Sequence, residues 1–517
     1  MRGAVAAGHP LTAEAGADVL AEGGNAVDAC IAAAFVSWVA ESTLTGPGAG
    51  GFMLVHRGRD RSTRVLDHFV TVPGLGLGRR QLAEMDAVDV AFTAESSQAF
   101  RIGAASCAVP GAVAGLGEAH RRFGTLPWPV LLEPAIRHAR DGVVLTKPQA
   151  YLHAILDLIL RHTDEGRVIY GRDGERLVAG DRLVMADLAR TLERLAEHGA
   201  DDLYQGELGE LVADHITEGG GAMTRRDLTE YRVIQRRPVR VTFLGHEFES
   251  NPPPSAGGLL IGLGVSLLDR LGGPAGPPGS AEAIAQLLEL MREQDRARDD
   301  AFARGLHRGG LRGRLLTPRA LAAAARRLRR RLPEAVGGTT HISVVDARGN
   351  AASLTASTGA GSGVIIPGTG IQLNNMLGEF DLATTGSVPR PGARFTSGMA
   401  PTIVLRNGSP RLVVGSAGSL RLRGAIFQIV VNVVGHGLGV EDAITRPRVH
   451  LDGDDVHCEG GNDAAELDRL ASWGYELVRW RRRNLYFGGA AGVEFREDGT
   501  LAAAGDPRRG GHGVVVE

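Results

Sequence analysis

Gly337-Gly338-Thr339-Thr340-His341-Ile342-Ser343-Val344-Val345-Asp346 is the stretch on which the reading of the fold turns. After the two glycines, Thr339 to Val345 reads as a strand. Asp346-Ala347-Arg348-Gly349-Asn350 reads as a turn, and Ala351 to Thr355 as the strand that pairs back. The threonine heading the hairpin is a poor nucleophile unless a base lies within hydrogen-bond reach. An N-terminal threonine supplies its own base, because an α-amine titrates at roughly 7.7–8.0. That amine exists only if the bond between Gly338 and Thr339 is cut. Glycine on the acyl side lets the backbone turn and exposes its carbonyl to the threonine oxygen. Taken alone, Gly-Thr-Thr ahead of a strand is commonplace, and an ordinary strand start stands beside the chemical reading.

Outward from this hairpin, Leu316 to Leu332 is an alanine- and arginine-rich helix, and Ala281 to Arg304 another. Asn251-Pro252-Pro253-Pro254-Ser255-Ala256-Gly257-Gly258 is a stiff loop before a helix at Leu259 to Leu271, and Tyr231 to Phe248 alternates like paired strands. Val113 to His198 is helical in pattern, with turns at Phe123-Gly124 and Asp141-Gly142. Strands are expected at Val65 to Val72 and at Phe52 to His56, the latter following the glycine loop Thr45 to Gly51. Ala26 to Ala40 is an almost wholly apolar helix, hence buried, with Thr12 to Leu20 a helix before it. Beyond the hairpin, Thr402 to Leu405 and Arg411 to Val414 pair around Asn407-Gly408, and Leu420 to Gly435 is helical. The C-terminal third is expected to share a core with what precedes it.

Composition narrows the function classes. The 517 residues are 43% hydrophobic and 22% charged, enough for a substantial core. The net charge of -2 provides no field toward nucleic acid or an anionic membrane. Lys147 is the only lysine, and acids balance the arginines, so the arginine load reads as coding bias. Cys30, Cys107 and Cys458 are too few and too widely spaced for a disulfide framework or zinc site, and read as buried thiols. No metal or organic cofactor is implied. The first residues lack the apolar core of a signal peptide, and no stretch is long and clean enough to span a membrane. The cytoplasm is the expected location. The glycine run Gly46 to Gly51 is followed by no lysine, so it reads as tight packing, not a phosphate loop.

The run from Thr339 to Asn350 joins a series of ordered motifs: Gly23-Gly24-Asn25-Ala26-Val27-Asp28-Ala29, Val109-Pro110-Gly111, Asn251 to Ser255, Gly370-Ile371-Gln372-Leu373-Asn374-Asn375, Met399-Ala400-Pro401-Thr402 and Asp506-Pro507-Arg508. Together they resemble the γ-glutamyltranspeptidase family of N-terminal nucleophile hydrolases over nearly the full length. The resemblance implies an α+β fold, a four-layer αββα sandwich. It implies one precursor that cuts itself into residues 1–338 and 339–517, the two sharing a core, with Thr339 the nucleophile both for that cut and for acyl transfer from a small-molecule amide. A supporting hydroxyl falls on Thr355 or Ser357. An ungapped match favours Ser357, but the loop Thr358 to Ser362 departs from the family pattern and both stay open. The oxyanion hole falls on Gly418 and Ser419 within Gly415-Ser416-Ala417-Gly418-Ser419. Serine replaces the second glycine there, which leaves the backbone donor in place.

The departures concern substrate choice. Phe69 stands where the family's arginine would clamp a substrate α-carboxylate, and a phenyl ring makes no charge-assisted bonds. Arg79 and Arg80 are nearby but read as surface residues. Met376 replaces a common polar contact after Asn374-Asn375, while Glu379 is placed to meet an α-amine with a longer arm. The paired serines become Ser397-Gly398, and the loop from Asp381 to Arg394 is short and lacks a lid tyrosine. The expectation is an amidohydrolase or acyltransferase with altered acyl specificity, a drift that cephalosporin-type acylases of the same superfamily illustrate. Two rivals remain: an ordinary glutathione or γ-glutamyl hydrolase with a relocated cation, and an unprocessed, silent binding or scaffold homologue. His341 shares the nucleophile's strand face but reads as structural. Asn25 and Asp28 read as helix caps.

Overall fold

The computed structural model describes residues 2–78, 82–91, 97–327, 339–379, 390–418 and 420–517. Its two main sheets use strands β1 (Gly3–Ala7), β2 (Gly50–Arg57), β3 (Ser62–His68), β4 (Ile234–Arg236), β5 (Val239–Phe243), β6 (His246–Ser250), β7 (Thr340–Asp346), β8 (Ala351–Ser357), β9 (Thr402–Arg406), β10 (Ser409–Ala417), β11 (Gly489–Phe495), β12 (Leu501–Gly505) and β13 (His512–Val516). One sheet runs β4-β3-β2-β8-β7-β1-β13 and the other β5-β6-β9-β10-β11-β12. Strands from before and after residue 339 alternate in the first sheet, so neither part of the chain completes it alone.

Helices α1 (Pro10–Ala21) and α2 (Ala26–Ala40) cover the outer face of the first sheet; α3 (Gly257–Arg270) and α4 (Leu420–Val430) cover that of the second. Every residue of α2 is buried, as its apolar composition requires. Its N-terminus is closed by a capping box. The Asn25 side chain accepts from the Val27 and Asp28 N–H groups, and Asp28 accepts from the Asn25 N–H at 3.0 Å. Alternation along β7 and β8 sorts side chains between layers. Ile342, Val344, Ala352 and Leu354 join the helix-side core, whereas Val345 and Ala351 join Phe52, Leu54, Ile403 and Val413 between the sheets. The result is the expected four-layer αββα sandwich.

Several boundaries differ from the sequence reading. The strand expected over Val65 to Val72 stops at His68. There the Asp67 carboxylate accepts the Phe69 N–H at 3.1 Å and turns the chain out of the sheet. The helix expected over Ala281 to Arg304 breaks into Ala281–Arg296 and Asp300–Arg308, because Asp299 caps the second piece by accepting the Phe302 N–H at 2.8 Å. Leu420–Val430 is α-helical, and Val431–Gly435 widens to a π turn. The alanine- and arginine-rich helix covers Pro318–Arg327, starting two residues later than Leu316, and the part of that reading beyond Arg327 lies outside the described residues. Cys30, Cys107 and Cys458 are free and buried. Among the described residues, no helix is long and apolar enough to cross a membrane.

Candidate active site

Thr339 is buried immediately ahead of β7. The β7–β8 register pairs Thr340 with Ala356 and His341 with Thr355. The pairing ends at Thr340–Ala356, with Thr339 just before the ladder and Ser357, the last residue of β8, just after it. Ser357 Oγ accepts the Gly359 N–H at 2.8 Å. Thr355 lies one face-repeat inward and bonds His341 Nδ1 at 2.7 Å.

The His341 environment fixes its tautomer. Nε2 is 2.9 Å from Ser343 Oγ, whose single proton goes to the Ala491 carbonyl at 3.2 Å. Nε2 therefore carries the ring proton and donates it to Ser343, and Nδ1 accepts from Thr355. Burial holds the imidazole pKa down to about 3. A neutral ring with both nitrogens engaged is no general base, in agreement with the structural reading.

Two residues that sequence reasoning missed hold the Thr339-Thr340 step. Arg509 Nη1 donates to the Thr339 carbonyl at 3.2 Å. Its guanidinium lies against Gly489, where a Cβ would stand 2.9 Å from Nε. Burial and then the neighbouring Arg421 pull its pKa down to about 10, against Asp506 and Glu41. Glu41 accepts the Thr340 hydroxyl at 2.6 Å and the Thr12 hydroxyl at 2.8 Å. Burial raises its pKa, and those hydroxyls oppose the rise. A lone carboxylate closing an apolar helix was the available signal for Glu41. For Arg509 it was adjacency to Asp506-Pro507-Arg508. In that motif Arg508 pairs with Asp506 at 3.0 Å and with Glu459, and Arg448 pairs with Asp506 at 2.6 Å.

The remaining predicted residues fall as follows. Gly418 ends β10 at φ +117°, where a Cβ would meet Gly488 Cα at 2.9 Å, so glycine is required for the turn. Its carbonyl accepts the Arg421 N–H in the first turn of α4. Glu379 is buried and accepts the Ala360 N–H at 3.2 Å, beside the loop that follows Ser357. Asn375 accepts the same N–H at 2.9 Å. Met376 and Phe69 are buried in one apolar cluster with Phe395 and Met399, and the Phe69 ring stacks on Phe52 at 5.4 Å. Ser397 Oγ accepts the Met399 N–H at 3.0 Å, and the Cβ direction of Gly398 opens onto free space. Arg394 lies against Phe69, but its Nη donors are committed to the Phe69, Asp67 and Arg232 carbonyls and the Tyr231 hydroxyl. It also pairs with Asp67 at 3.2 Å. Gly338, Ser419, Arg79, Arg80 and the Asp381 to Pro389 part of the short loop lie outside the described residues. Among the described residues, no group of three or more His, Cys, Asp or Glu is placed to hold a metal ion.

The model of the family described as gamma-glutamyltranspeptidase matches residues 12–516. The chain belongs to the γ-glutamyltranspeptidase family. Within it, the chain is 32% identical to the acylase ACY 1 proenzyme of Pseudomonas sp. (strain SE83), over 100% of this chain and 94% of that protein. It is 30% identical to the glutathione hydrolase proenzyme of Escherichia coli (strain K12), over 98% of this chain and 90% of that protein. The fold is similar to that of the cephalosporin acylase from Bacillus halodurans, with a TM-score of 0.85 at 24% identity, covering 100% of this chain and 96% of that one. As a γ-glutamyltranspeptidase family member it is an enzyme of the amidohydrolase and acyltransferase class.

Proposed function

We propose that the protein is a self-processing threonine amidohydrolase or acyltransferase. It cuts between Gly338 and Thr339 and then carries acyl groups on Thr339, and residues 1–338 and 339–517 remain together as two chains of one sandwich. The observation that carries this reading is the placement of Thr339: buried immediately ahead of β7, beside the end of β8 that carries Ser357. The free α-amine takes the proton from the threonine Oγ as it attacks the amide carbon. Ser357 orients that oxygen. Backbone N–H groups at Gly418 and Ser419 receive the carbonyl oxygen as it gains charge. The amine of the leaving group departs with a proton, and water or a second amine releases the acyl group, giving ping-pong kinetics.

The acyl preference we infer rests on the two positions where a carboxylate clamp and a polar contact would stand: Phe69 and Met376 are instead buried in one apolar cluster with Phe395 and Met399. Apolar side chains reward an apolar acyl chain and leave a substrate α-carboxylate without a partner. The acyl group taken is therefore one without a glutamyl-type α-carboxylate. Intact mass with N-terminal sequencing tests the nucleophile. Two chains, the smaller starting at Thr339 and absent in Thr339→Ala, are expected; a persistent single chain overturns the reading in favour of a silent homologue. Turnover of simple aliphatic acyl anilides against γ-glutamyl anilide tests the preference. An ordinary KM for γ-glutamyl anilide overturns it in favour of a γ-glutamyl hydrolase with a relocated cation.

A further inference from the structure

The strand that begins with the proposed nucleophile is held on one side only where it matters. β8 pairs with β7 from Thr340 onward, at Thr340–Ala356, His341–Thr355 and Ile342–Leu354. β1 joins β7 only from Ser343, its Ala6 being the partner there. Beyond Ala7 the chain turns into α1, and the Glu41 carboxyl stands against Gly8, whose Cβ would lie 3.0 Å from Glu41 Cδ. Residues 339–342 thus lack a ladder on the β1 side. In a continuous chain the preceding residues tether such a segment. Once the bond before Thr339 is cut it becomes a chain terminus, and termini fray unless tied down.

Two side chains bond this segment where that ladder is absent. Arg509 donates to the Thr339 carbonyl from the side of the C-terminal Asp506-Pro507-Arg508 network. Glu41 accepts the Thr340 hydroxyl from the end of α2, and a second hydroxyl, from Thr12, fixes the carboxylate itself. We propose that Arg509 and Glu41 are positioning residues. One bonds the Thr339 carbonyl and the other the Thr340 hydroxyl, and together they keep the Thr339 amine and Oγ in place after cleavage. This rests on the reading of Thr339 as the nucleophile. Neither residue touches substrate. Their contribution is to the orientation of the attacking group, where a misplacement of about 1 Å costs on the order of a hundredfold in rate.

The experiment combines Arg509→Gln, Arg509→Lys and Thr340→Val. Each variant is checked for cleavage by intact mass. Hydrogen–deuterium exchange is followed in the peptide covering 339–343, and kcat and KM are measured on whichever acyl anilide the unmodified enzyme turns over fastest. The expected result for Arg509→Gln is faster exchange confined to this peptide and a fall in kcat of about ten- to a hundredfold with KM changed less than about twofold. Arg509→Lys, which keeps a donor, recovers part of both. Thr340→Val, which keeps the shape and removes only the bond to Glu41, shows the same signature more weakly. Exchange and kcat like those of the unmodified enzyme in Arg509→Gln and Thr340→Val overturn the proposal. If Arg509→Gln does not fold, Thr340→Val decides alone by the same readouts. If the unmodified protein is never cut, the nucleophile reading has failed, and the exchange comparison on the uncut chain still decides whether these residues hold the strand start.

Discussion

The His341 imidazole lies flat against the backbone of Gly415: a Cβ at 415 would stand 2.7 Å from ring Cγ and closer still to Nδ1 and Cε1. The ring is bonded at both nitrogens and has no direction in which to retreat. Gly415→Ala is therefore expected to cost about 1–3 kcal/mol, the usual penalty for overpacking a filled interior. Chemical denaturation measures it, and an unchanged midpoint would show that the ring is free to move.

The same histidine makes stability depend on pH. His341 and His68 are held at about 3, and His9 and His153 at about 4, in every case chiefly by burial. Unfolded histidine titrates near 6.5, so below that pH the unfolded chain binds more protons than the folded one. Stability is complete above roughly pH 6.5 and is lost as pH falls from there toward the folded values, each histidine contributing up to about 1.4 kcal/mol per pH unit. Denaturation series at pH 7.5, 6.0 and 5.0 check the slope. A flat profile over that window contradicts the buried neutral state.

Thr355 and Ser357 are expected to separate cleanly on substitution. Thr355→Val leaves His341 Nδ1 buried without a donor, at a cost of about 1–3 kcal/mol, while the cut before Thr339 still occurs. Ser357→Ala leaves the His341 bonds intact and slows both self-cleavage and turnover. Thermal unfolding beside a time course of intact mass distinguishes the two. The reverse pattern would assign the supporting hydroxyl to Thr355.

Restoring the absent cation at Phe69 is expected to fail. The Phe69 ring stacks on Phe52 in the layer between the sheets, and its own carbonyl already receives Arg394. In Phe69→Arg a second guanidinium is buried beside that one, where the neighbouring Asp67 carboxylate is already paired with Arg394 and Arg236, costing about 3–5 kcal/mol. Gly398→Ser, by contrast, enters open space and is tolerated. Melting temperatures and γ-glutamyl anilide turnover of both variants provide the check. A stable Phe69→Arg enzyme with gained γ-glutamyl activity would refute the account of the apolar wall.

The sequence by itself determined the α2 helix with its Asn25–Asp28 cap, the hairpin headed by Thr339 and the three free thiols, while the layer architecture came from the family resemblance of its ordered motifs. The first two rest on local chemistry, a continuous apolar run with a capping pair three residues apart and a turn between β-branched segments, and the thiols on the small number and wide spacing of the cysteines. Four strands, Gly3–Ala7, Gly489–Phe495, Leu501–Gly505 and His512–Val516, gave no signal. The first three are built from small residues or largely buried on both faces, so the polar–apolar alternation that marks a half-exposed strand is absent. Which residues of the two strands meet, Thr340 with Ala356 and His341 with Thr355, was set only by the β7–β8 register: Thr355 and Ser357 share a strand face, so alternation in the sequence does not distinguish them. The grip of Glu41 and Arg509 on the Thr339-Thr340 step was likewise invisible. These residues lie about 300 positions before and 170 after the segment they hold, at |i−j| of 299 and 170, and only the closing of the sandwich brings such distant groups within a hydrogen bond.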